Sequence, residues 1–365
     1  MGDPLNLGII GAGVISGAYV STLRALDGFR INAVTDLYVD RALGLAERAG
    51  DAVAVANTFT ELLERDDVDA VLNLTLPADH AAITREALRA GKHVYSEKPL
   101  AVSREDAADL VEEARKAGRR LACAPDTVLG TGTQTARKAV DDGLIGTPVA
   151  ATAFMTSVGH EAWHPNPEFY YQPGGGPLLD MGPYYLSSLV HVLGPVTRVT
   201  GAASRPRRER SIANGPRSRT RFPVHVDTHV TGVLEHDGGA LTTLVMSFDV
   251  RAARLPWIEI YGTTGTLSLP DPNRFDGSPA LSRGGSWQLL PYSAGYEPGR
   301  RGVGLADLAD ALHTGRPHLA TAELAEHVLD TMLTLLDAAE DGRTLPVTRT
   351  TDRPPAVEGI RTAGW

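Results

Sequence analysis

The residues near the start of the chain have the types and spacing that bind a dinucleotide. Gly11-Ala12-Gly13-Val14-Ile15-Ser16 directly follows a short apolar run at 7–10 and precedes a helical pattern at 15–26. The first glycine permits a tight turn, the second lets a pyrophosphate approach the backbone, and small Ser16 lets helix and strand pack closely. We therefore expect phosphates to lie on the N–H groups and positive dipole of this helix.

An acidic residue extends this site. Asp36 ends the second apolar run, at 31–36, where a carboxylate can bind ribose hydroxyls. A carboxylate repels a 2′-phosphate, so the sequence favours NAD, and Arg41, expected inside the next helix, leaves NADP as the alternative. The predicted cofactor contacts from this turn are Gly11, Gly13, Val14, Ile15 and Asp36.

Strand and helix patterns alternate from residue 5 to residue 125. Strands are predicted at 7–10, 31–36, 52–56, 70–74, 92–96 and 121–124, with helices at 15–26, 40–50, 79–90 and 103–118. Ser103 with Asp106 three residues later is a variant of the capping box. Strands joined by helices of this length need crossover connections, which predicts a doubly wound parallel sheet.

The pattern changes after Pro125. Helices are predicted near 133–142 and 183–193, followed by alternating runs at 196–202, 224–235, 240–248, 258–261 and 266–269. Turn residues separate several of these runs, which indicates a mostly antiparallel sheet. A last helix is expected over about 321–339, and the whole chain is therefore α/β with a second, α+β part.

Composition narrows the possible functions. The chain has 365 residues, of which 42% are hydrophobic, enough for two cores. A net charge of -9 argues against a nucleic-acid partner. The single cysteine, Cys123, lies in an apolar run, so we expect a buried residue in a reducing, cytoplasmic compartment. No leader pattern or membrane-length apolar run is present, so no membrane partner is expected.

Four segments, taken together, resemble one family. They are Gly-Ile-Ile-Gly-Ala-Gly from residue 8, Thr-Leu-Pro-Ala-Asp-His at 75–80, Glu-Lys-Pro at 97–99, and the glycine-rich stretch 174–182. In order and spacing the sequence resembles the Gfo/Idh/MocA oxidoreductases, which include glucose-fructose oxidoreductase and inositol dehydrogenase. The resemblance implies an NAD-binding Rossmann domain at 1–125 and a substrate-binding and oligomerisation domain with an open antiparallel sheet at 126–365. It adds these cofactor contacts: Thr75, Leu76, Pro77, His80, Glu97 and Lys98.

The resemblance also places Lys98 in the active site, beside the nicotinamide. Burial and the positive ring would both lower the pKa of this amine, so it could take or return a hydroxyl proton near neutral pH. The family's Asp-x-x-x-His motif is matched by Asp180, but the histidine position is Tyr184 and the following aspartate position is Ser187. We therefore assign the main acid/base role to Lys98. Tyr184 is expected to act as a hydrogen-bond donor or as a partner acid, and Asp180 is expected to orient substrate hydroxyls.

Further substrate contacts are expected from Asp126, Trp163 and His164. Trp163 could stack on a sugar face and His164 could bond a hydroxyl, although the same loop could equally pack its aromatic rings against the domain. His160 and His164 have the spacing of a zinc pair on a helix, but prolines at 165 and 167 argue against a helix, so no metal is predicted.

Two polar segments allow alternative interpretations. The arginines of 205–221 form either a solvated connection between strands, which we favour, or a clamp for an anionic substrate group; they are Arg205, Arg207, Arg208, Arg210, Arg217, Arg219 and Arg221. His225, Asp227 and His229 alternate on a predicted strand, so they should share one face, toward another subunit or toward water.

The leading functional hypothesis is an NAD-dependent dehydrogenase that acts on a secondary hydroxyl of a sugar, sugar derivative or cyclitol. The alternative is a redox-neutral glycosidase, in which bound NAD oxidises a sugar transiently and then reduces it again. A non-catalytic dinucleotide sensor is the third class, and the intact Glu97-Lys98-Pro99 argues against it. The open sheet and the resemblance imply a homodimer or homotetramer.

Overall fold

A computed structural model describes residues 3–26 and 28–362. The nine helices of the described residues are α1 (Ser16–Leu23), α2 (Val39–Ala49), α3 (Phe59–Leu63), α4 (His80–Arg89), α5 (Arg104–Ala117), α6 (Thr131–Asp141), α7 (Gly176–Leu193), α8 (Val303–Thr314) and α9 (Ala322–Asp341). Two of the helices of the first part of the chain end at a glycine, α2 at Gly50 and α5 at Gly118.

The described residues form six strands up to Cys123 and thirteen after it. Those of the first part are β1 (Leu5–Ile10), β2 (Phe29–Thr35), β3 (Ala54–Val55), β4 (Ala70–Asn73), β5 (His93–Ser96) and β6 (Leu121–Cys123). The later ones are β7 (Pro148–Thr156), β8 (Val196–Ser204), β9 (Glu209–Ser211), β10 (Arg221–Pro223), β11 (His229–His236), β12 (Leu241–Ser247), β13 (Ile258–Gly262), β14 (Thr266–Leu269), β15 (Ala280–Ser282), β16 (Gln288–Leu289), β17 (Gly295–Glu297), β18 (Leu345–Pro346) and β19 (Ile360–Thr362).

The chain forms two compact units. The first unit contains residues 1–130, 295–326 and 357–365, and the second contains 131–294 and 327–356. The sequence predicts a single boundary at 125/126, whereas later segments of the chain return to the first unit. One contact that joins a later segment to the first unit is made by Asp126. Its buried carboxylate accepts hydrogen bonds from the N–H groups of Gly302 and Gly304, at the start of α8.

The first unit is built on a six-stranded sheet in the order β3-β2-β1-β4-β5-β6, with every neighbouring pair parallel. This order confirms the predicted doubly wound sheet. The order in which successive strands are added to the sheet reverses between β1 and β4, and sheets of this type bind ligands at that point, beyond the carboxyl ends of the strands. The central strands are apolar on both faces: Leu7, Ile9 and Leu72 are fully buried on one face and Val71 on the other.

Local signals in this unit act as predicted. Ser103 caps α5, since its Oγ accepts from the N–H of Asp106 at 3.1 Å and donates to the Asp106 carboxylate at 2.9 Å. Gly118 ends the helix in the left-handed conformation, with φ of 60°. The single cysteine, Cys123, is buried at the end of β6, as expected.

The second unit contains a nine-stranded sheet in the order β16-β15-β14-β13-β7-β12-β11-β8-β18. Its neighbours are antiparallel except for β7 and β12, which run parallel, so the predicted mostly antiparallel sheet is confirmed. Helix α7 packs on β7, β11 and β12. It also approaches α9 at one point, because a Cβ at Gly182 would lie 2.7 Å from the sulfur of Met332.

Several elements of the structure were not predicted. β7 and α8 are absent from the sequence prediction, and the arginine segment contains an antiparallel hairpin, β9–β10, rather than a simple connection. The predicted strand at 224–235 begins only at His229, so His225 and Asp227 precede β11 and do not share a strand face with His229. No helix among the described residues is long and apolar enough to cross a membrane.

Candidate functional site

The turn between β1 and α1 leaves its backbone accessible. Gly11 has φ of +101°, and a Cβ there would lie 2.7 Å from the carbonyl oxygen of Leu74, so only glycine fits the turn. A Cβ at Gly13 would meet nothing within 4 Å, and Val14 is 98% exposed. Ile15 gives the first turn of α1 no side-chain cap. This uncapped helix start, beside open space, fits the pyrophosphate of a dinucleotide.

Asp36 holds this turn in place. One carboxylate oxygen accepts from the N–H of Ala12 at 2.7 Å, and the other accepts from the N–H of Tyr38 at 2.8 Å. An ionised carboxylate has about four acceptor positions, so positions remain for ribose hydroxyls. Leu37 is 96% exposed, and the guanidinium of Arg41 lies 4.4 Å from the centre of the Tyr38 ring. The arrangement offers an apolar surface beside Asp36, and it places Arg41 inside α2.

The segment after β4 is tied to the segment after β5. The side-chain oxygen of Asn73 accepts from the hydroxyl of Thr75 at 2.7 Å. The ring nitrogens of His80 contact the carbonyl oxygens of Pro99 at 2.7 Å and Thr75 at 3.1 Å. Burial lowers the pKa of His80. Leu76 is 56% exposed and available to a ligand, whereas His80 is buried and acts through the two backbone segments that it joins.

Glu97 fixes the backbone of Lys98. One oxygen of its carboxylate accepts from the hydroxyl of Tyr19 at 2.8 Å, and the other accepts from the N–H of Lys98 at 3.0 Å. Tyr19 is fully buried in α1, so the helix that follows the glycine turn is connected to Lys98 by two hydrogen bonds. Burial raises the pKa of the Cys123 thiol well above its usual range, so this cysteine is a packing residue and not a nucleophile.

Asp126 does not occupy the position expected of a substrate contact. It is 0% exposed, and one oxygen accepts from the N–H groups of Gly302 at 2.7 Å and Gly304 at 3.2 Å. Arg301 lies 3.8 Å from its other oxygen, and burial raises the pKa of the carboxyl. The structure therefore corrects the assignment of Asp126 to substrate, because its carboxylate is buried beneath the start of α8.

In the second unit, α7 carries Asp180 and Tyr184 one turn apart, which places them on one side of the helix. Tyr184 is 6% exposed. The carboxylate of Asp180 lies 2.7 Å from Nε2 of His160, and both side chains are largely buried. Sequence reasoning considered His160 only as a metal ligand; the structure shows it as the partner of Asp180. Within the described residues, no cluster of three or more potential metal ligands is present.

The loop that carries His160 is rich in aromatic side chains. Its ring lies 4.0 Å from that of Tyr170, 4.6 Å from that of Phe248 and 5.2 Å from that of Trp163, measured between ring centres. Trp163 is 60% exposed and presents its ring outward, whereas Nδ1 of His164 accepts from the backbone of Asn166 at 3.0 Å. The exposed indole therefore suits ligand contact better than His164 does.

One arginine of the 205–221 segment braces this loop. The side chain of Arg210 is 1% exposed and bonds to the carboxylates of Glu161 and Asp249, each at 2.6 Å. The hydroxyl of Tyr171 also donates to Glu161. The other arginines of the segment are exposed, and three of them pair with carboxylates nearby: Arg207 with Asp249, Arg217 with Glu168 and Arg221 with Glu209. This part of the chain is therefore a hairpin with one buried ion-pair network.

Family models match most of the chain. A family described as oxidoreductases with an NAD-binding Rossmann fold matches residues 5–124, and the GFO/IDH/MocA C-terminal domain matches residues 133–268. The cofactor-binding fold and the NAD preference predicted from the first residues agree with this match. The glycine turn and Asp36 would hold the dinucleotide, whose nicotinamide ring exchanges a hydride when bound.

Individual relatives have oxidoreductase names. The chain is 33% identical to a dTDP-3,4-didehydro-2,6-dideoxy-alpha-D-glucose 3-reductase of Actinomadura kijaniata, over 65% of this chain and 72% of that protein. It is 29% identical to inositol 2-dehydrogenase 3 of Saccharopolyspora erythraea, over 74% of each. An oxidoreductase domain protein from Kribbella flavida has the same fold, with a TM-score of 0.81 and 21% identity over 95% of this chain and 100% of that one. The chain belongs to the GFO/IDH/MocA family of NAD-binding oxidoreductases.

Proposed function

We propose that this protein transfers a hydride between NAD and a secondary hydroxyl of a sugar, sugar derivative or cyclitol. The observation that supports this best is the fixed backbone of Lys98, at the carboxyl end of β5 in a sheet whose ligands bind at that edge. The reductase and inositol dehydrogenase relatives act on hydroxylated rings of this kind. These relatives give no support to the redox-neutral glycosidase.

The site residues divide by role in this proposal. Lys98 acts on the reacting hydroxyl of the substrate. Its amine can take the hydroxyl proton, and its ammonium form can stabilise negative charge on the oxygen. Tyr184 donates a hydrogen bond, and Asp180 orients the part of the site that meets the substrate. Trp163 offers an aromatic surface on which the apolar face of a sugar ring can stack. The second unit, on this proposal, supplies substrate contacts and the oligomer interface.

An exposed sheet face supports assembly as a homodimer or homotetramer. Val233 on β11 and Leu241 on β12 are 40% and 49% exposed, although they lie on neighbouring strands of the large sheet. Exposed apolar residues on neighbouring strands suit contact with another copy of the chain. Light scattering after size-exclusion chromatography tests the assembly, and a monomeric mass at micromolar concentration would contradict it. The single cysteine suits the reducing cytoplasm that we propose as its location.

A substrate screen tests the proposed function. Purified protein is incubated with NAD or NADP and a panel of sugars, cyclitols and sugar acids, and the absorbance of the reduced cofactor is followed. We expect NADH to accumulate with at least one polyol, faster than NADPH. The reverse direction is tested with ketoses and inososes plus NADH. Absence of turnover in both directions, with NAD binding shown by calorimetry, would refute the proposal.

A further inference from the structure

Helix α1 contains a buried tyrosine whose hydroxyl is bonded to the segment that carries Lys98. Tyr19 is 0% exposed, and its hydroxyl donates to one carboxylate oxygen of Glu97 at 2.8 Å. The second oxygen of Glu97 accepts from the N–H of Lys98 at 3.0 Å. A carboxylate is planar and rigid, so a hydroxyl that holds one of its oxygens also determines where the other oxygen lies.

We propose that Tyr19 is a positioning residue of the hydride transfer, because it holds the backbone of Lys98 at a fixed place relative to the dinucleotide turn. Helix α1 starts at Ser16, directly after that turn. A reacting group is placed accurately when a rigid element supports it through further hydrogen bonds. The bond from Tyr19 to Glu97 makes α1 this element. The proposal rests on the proposed function, since it takes Lys98 as the group that acts on the reacting hydroxyl.

The ring of Tyr19 is held in one orientation by elements of the same unit. Tyr95 on β5 packs edge-on against it, with 6.2 Å between the ring centres. A Cβ at Gly302 would lie 3.6 Å from Cδ1 of Tyr19, so the start of α8 closes another side of the ring. Burial raises the pKa of Tyr19 well above its usual range, and the hydroxyl therefore keeps its proton and remains a donor to Glu97.

Loss of this bond should affect turnover more than cofactor binding. A hydrogen bond to a charged group is one of the stronger kinds, and its removal lets the Glu97 carboxylate turn and the backbone of Lys98 shift. A shift of about 1 Å at a reacting group can slow a reaction by about a hundredfold. The dinucleotide turn is held separately, because Asp36 accepts from the N–H of Ala12 at 2.7 Å. The affinity for NAD should therefore change little.

The neighbouring tyrosine provides a matched control. Tyr95 is also 0% exposed, but its hydroxyl forms no hydrogen bond within residues 3–26 and 28–362. Tyr19→Phe and Tyr95→Phe each remove one buried hydroxyl from the same cluster, and only the first breaks a bond to Glu97. We expect Tyr19→Phe to lower kcat by about tenfold or more and Tyr95→Phe to stay within about threefold of the wild type. The dissociation constant for NAD, measured by calorimetry, should stay within about threefold in both variants.

A second measurement needs no substrate. Hydrogen–deuterium exchange, followed by mass spectrometry at single-residue resolution, reports how firmly the N–H of Lys98 is held. Exchange at Lys98 should be about tenfold faster or more in Tyr19→Phe, and it should be unchanged in Tyr95→Phe. The double variant of Tyr19→Phe with Glu97→Gln should turn over no more slowly than Glu97→Gln alone, since both changes break the same connection.

The possible outcomes separate this inference from the proposed function. If Tyr19→Phe keeps more than about a third of the wild-type kcat, or if exchange at Lys98 is unchanged, Tyr19 is not a positioning residue. Equal losses of kcat and of melting temperature in Tyr19→Phe and Tyr95→Phe would show a packing role only and also overturn the proposal. If the wild type transfers no hydride with any polyol or ketose, the proposed function fails, and exchange at Lys98 still decides whether Tyr19 holds this backbone in place.

Discussion

The buried ion-pair network around Arg210 should be the largest single electrostatic contribution to the stability of the second unit. Arg210→Met keeps the aliphatic volume but leaves the carboxylate of Glu161, which is 10% exposed, without its cation. It leaves Asp249, which is 11% exposed, with only the more distant Arg207 at 3.8 Å. Removal of one partner from a buried ion pair costs about 3–5 kcal/mol, because the remaining charge stays buried and unpaired. For a unit of this size that corresponds to a melting temperature lowered by about 6–20 °C.

Differential scanning calorimetry measures this change, with Arg208→Met as the matched control. Arg208 is exposed on the same segment, and its replacement should change stability by less than about 0.5 kcal/mol. Addition of Glu161→Gln and Asp249→Asn to Arg210→Met should restore part of the loss, since the stranded charges are then gone. Equal melting temperatures for Arg210→Met and Arg208→Met would refute the reasoning, and so would a triple variant that is less stable than Arg210→Met.

Four further predictions concern the site and its surroundings. Lys98→Ala should abolish hydride transfer but leave the dissociation constant for NAD within about threefold, and normal turnover would contradict its assigned role. Tyr184→Phe should lower kcat by about a hundredfold or less, and an unchanged kcat would exclude its hydrogen bond from catalysis. Asp36→Ser should raise the ratio of kcat/KM for NADP to that for NAD, because the charge that repels a 2′-phosphate is removed; a constant ratio would count against this carboxylate. Burial lowers the pKa of His93 from 6.5 to about 4, with nearby arginines adding to the effect, so the unfolded state binds the extra proton in that range. The free energy of unfolding should therefore fall as pH drops from about 6.5 to about 4, and it should fall less steeply in His93→Asn than in the wild type. Urea unfolding at several pH values measures this, and an equal pH dependence in the two proteins would refute the reasoning.

The first unit could be predicted from sequence because its signals are local. Strands buried on both faces are continuous apolar runs, and the turns between strands and helices carry glycine or capping residues, as at Gly11 and Ser103. The third strand is the weakest case: it was predicted over 52–56 and is two residues long in the structure, Ala54–Val55, at the edge of the sheet. An edge strand pairs with only one neighbouring strand, and its apolar sequence pattern is therefore weaker.

The part of the chain after Pro125 contains elements that the sequence could not reveal. β7 has the sequence Pro-Val-Ala-Ala-Thr-Ala-Phe-Met-Thr, in which small residues weaken the alternation, and it lies between β13 and β12, which are far along the chain. Its position is determined by tertiary pairing. α8 is apolar over most of its circumference, and nearly all of its first nine residues are buried, so it shows little amphipathic periodicity.

Local motifs of the candidate site can be predicted from the sequence, whereas contacts between segments that are distant in the sequence cannot. A run of arginines is typical of a solvated segment, and nothing in the sequence marks Arg210 as the buried member. His160 and Asp180 are joined by a non-periodic loop, so no spacing rule connects them.

The acidic residue of the Glu-Lys-Pro segment illustrates how structure changes the meaning of a motif. Both oxygens of Glu97 are engaged by the chain itself, one by the hydroxyl of Tyr19 and the other by the N–H of Lys98. Hydrogen bonds to a buried carboxylate contribute about 1.5–3 kcal/mol each, which is enough to hold the strand end in one conformation. Glu97 is 9% exposed and so has little surface for a cofactor. Its contribution to cofactor chemistry is therefore positional: the helix that follows the dinucleotide turn and the backbone of Lys98 are fixed to the same side chain.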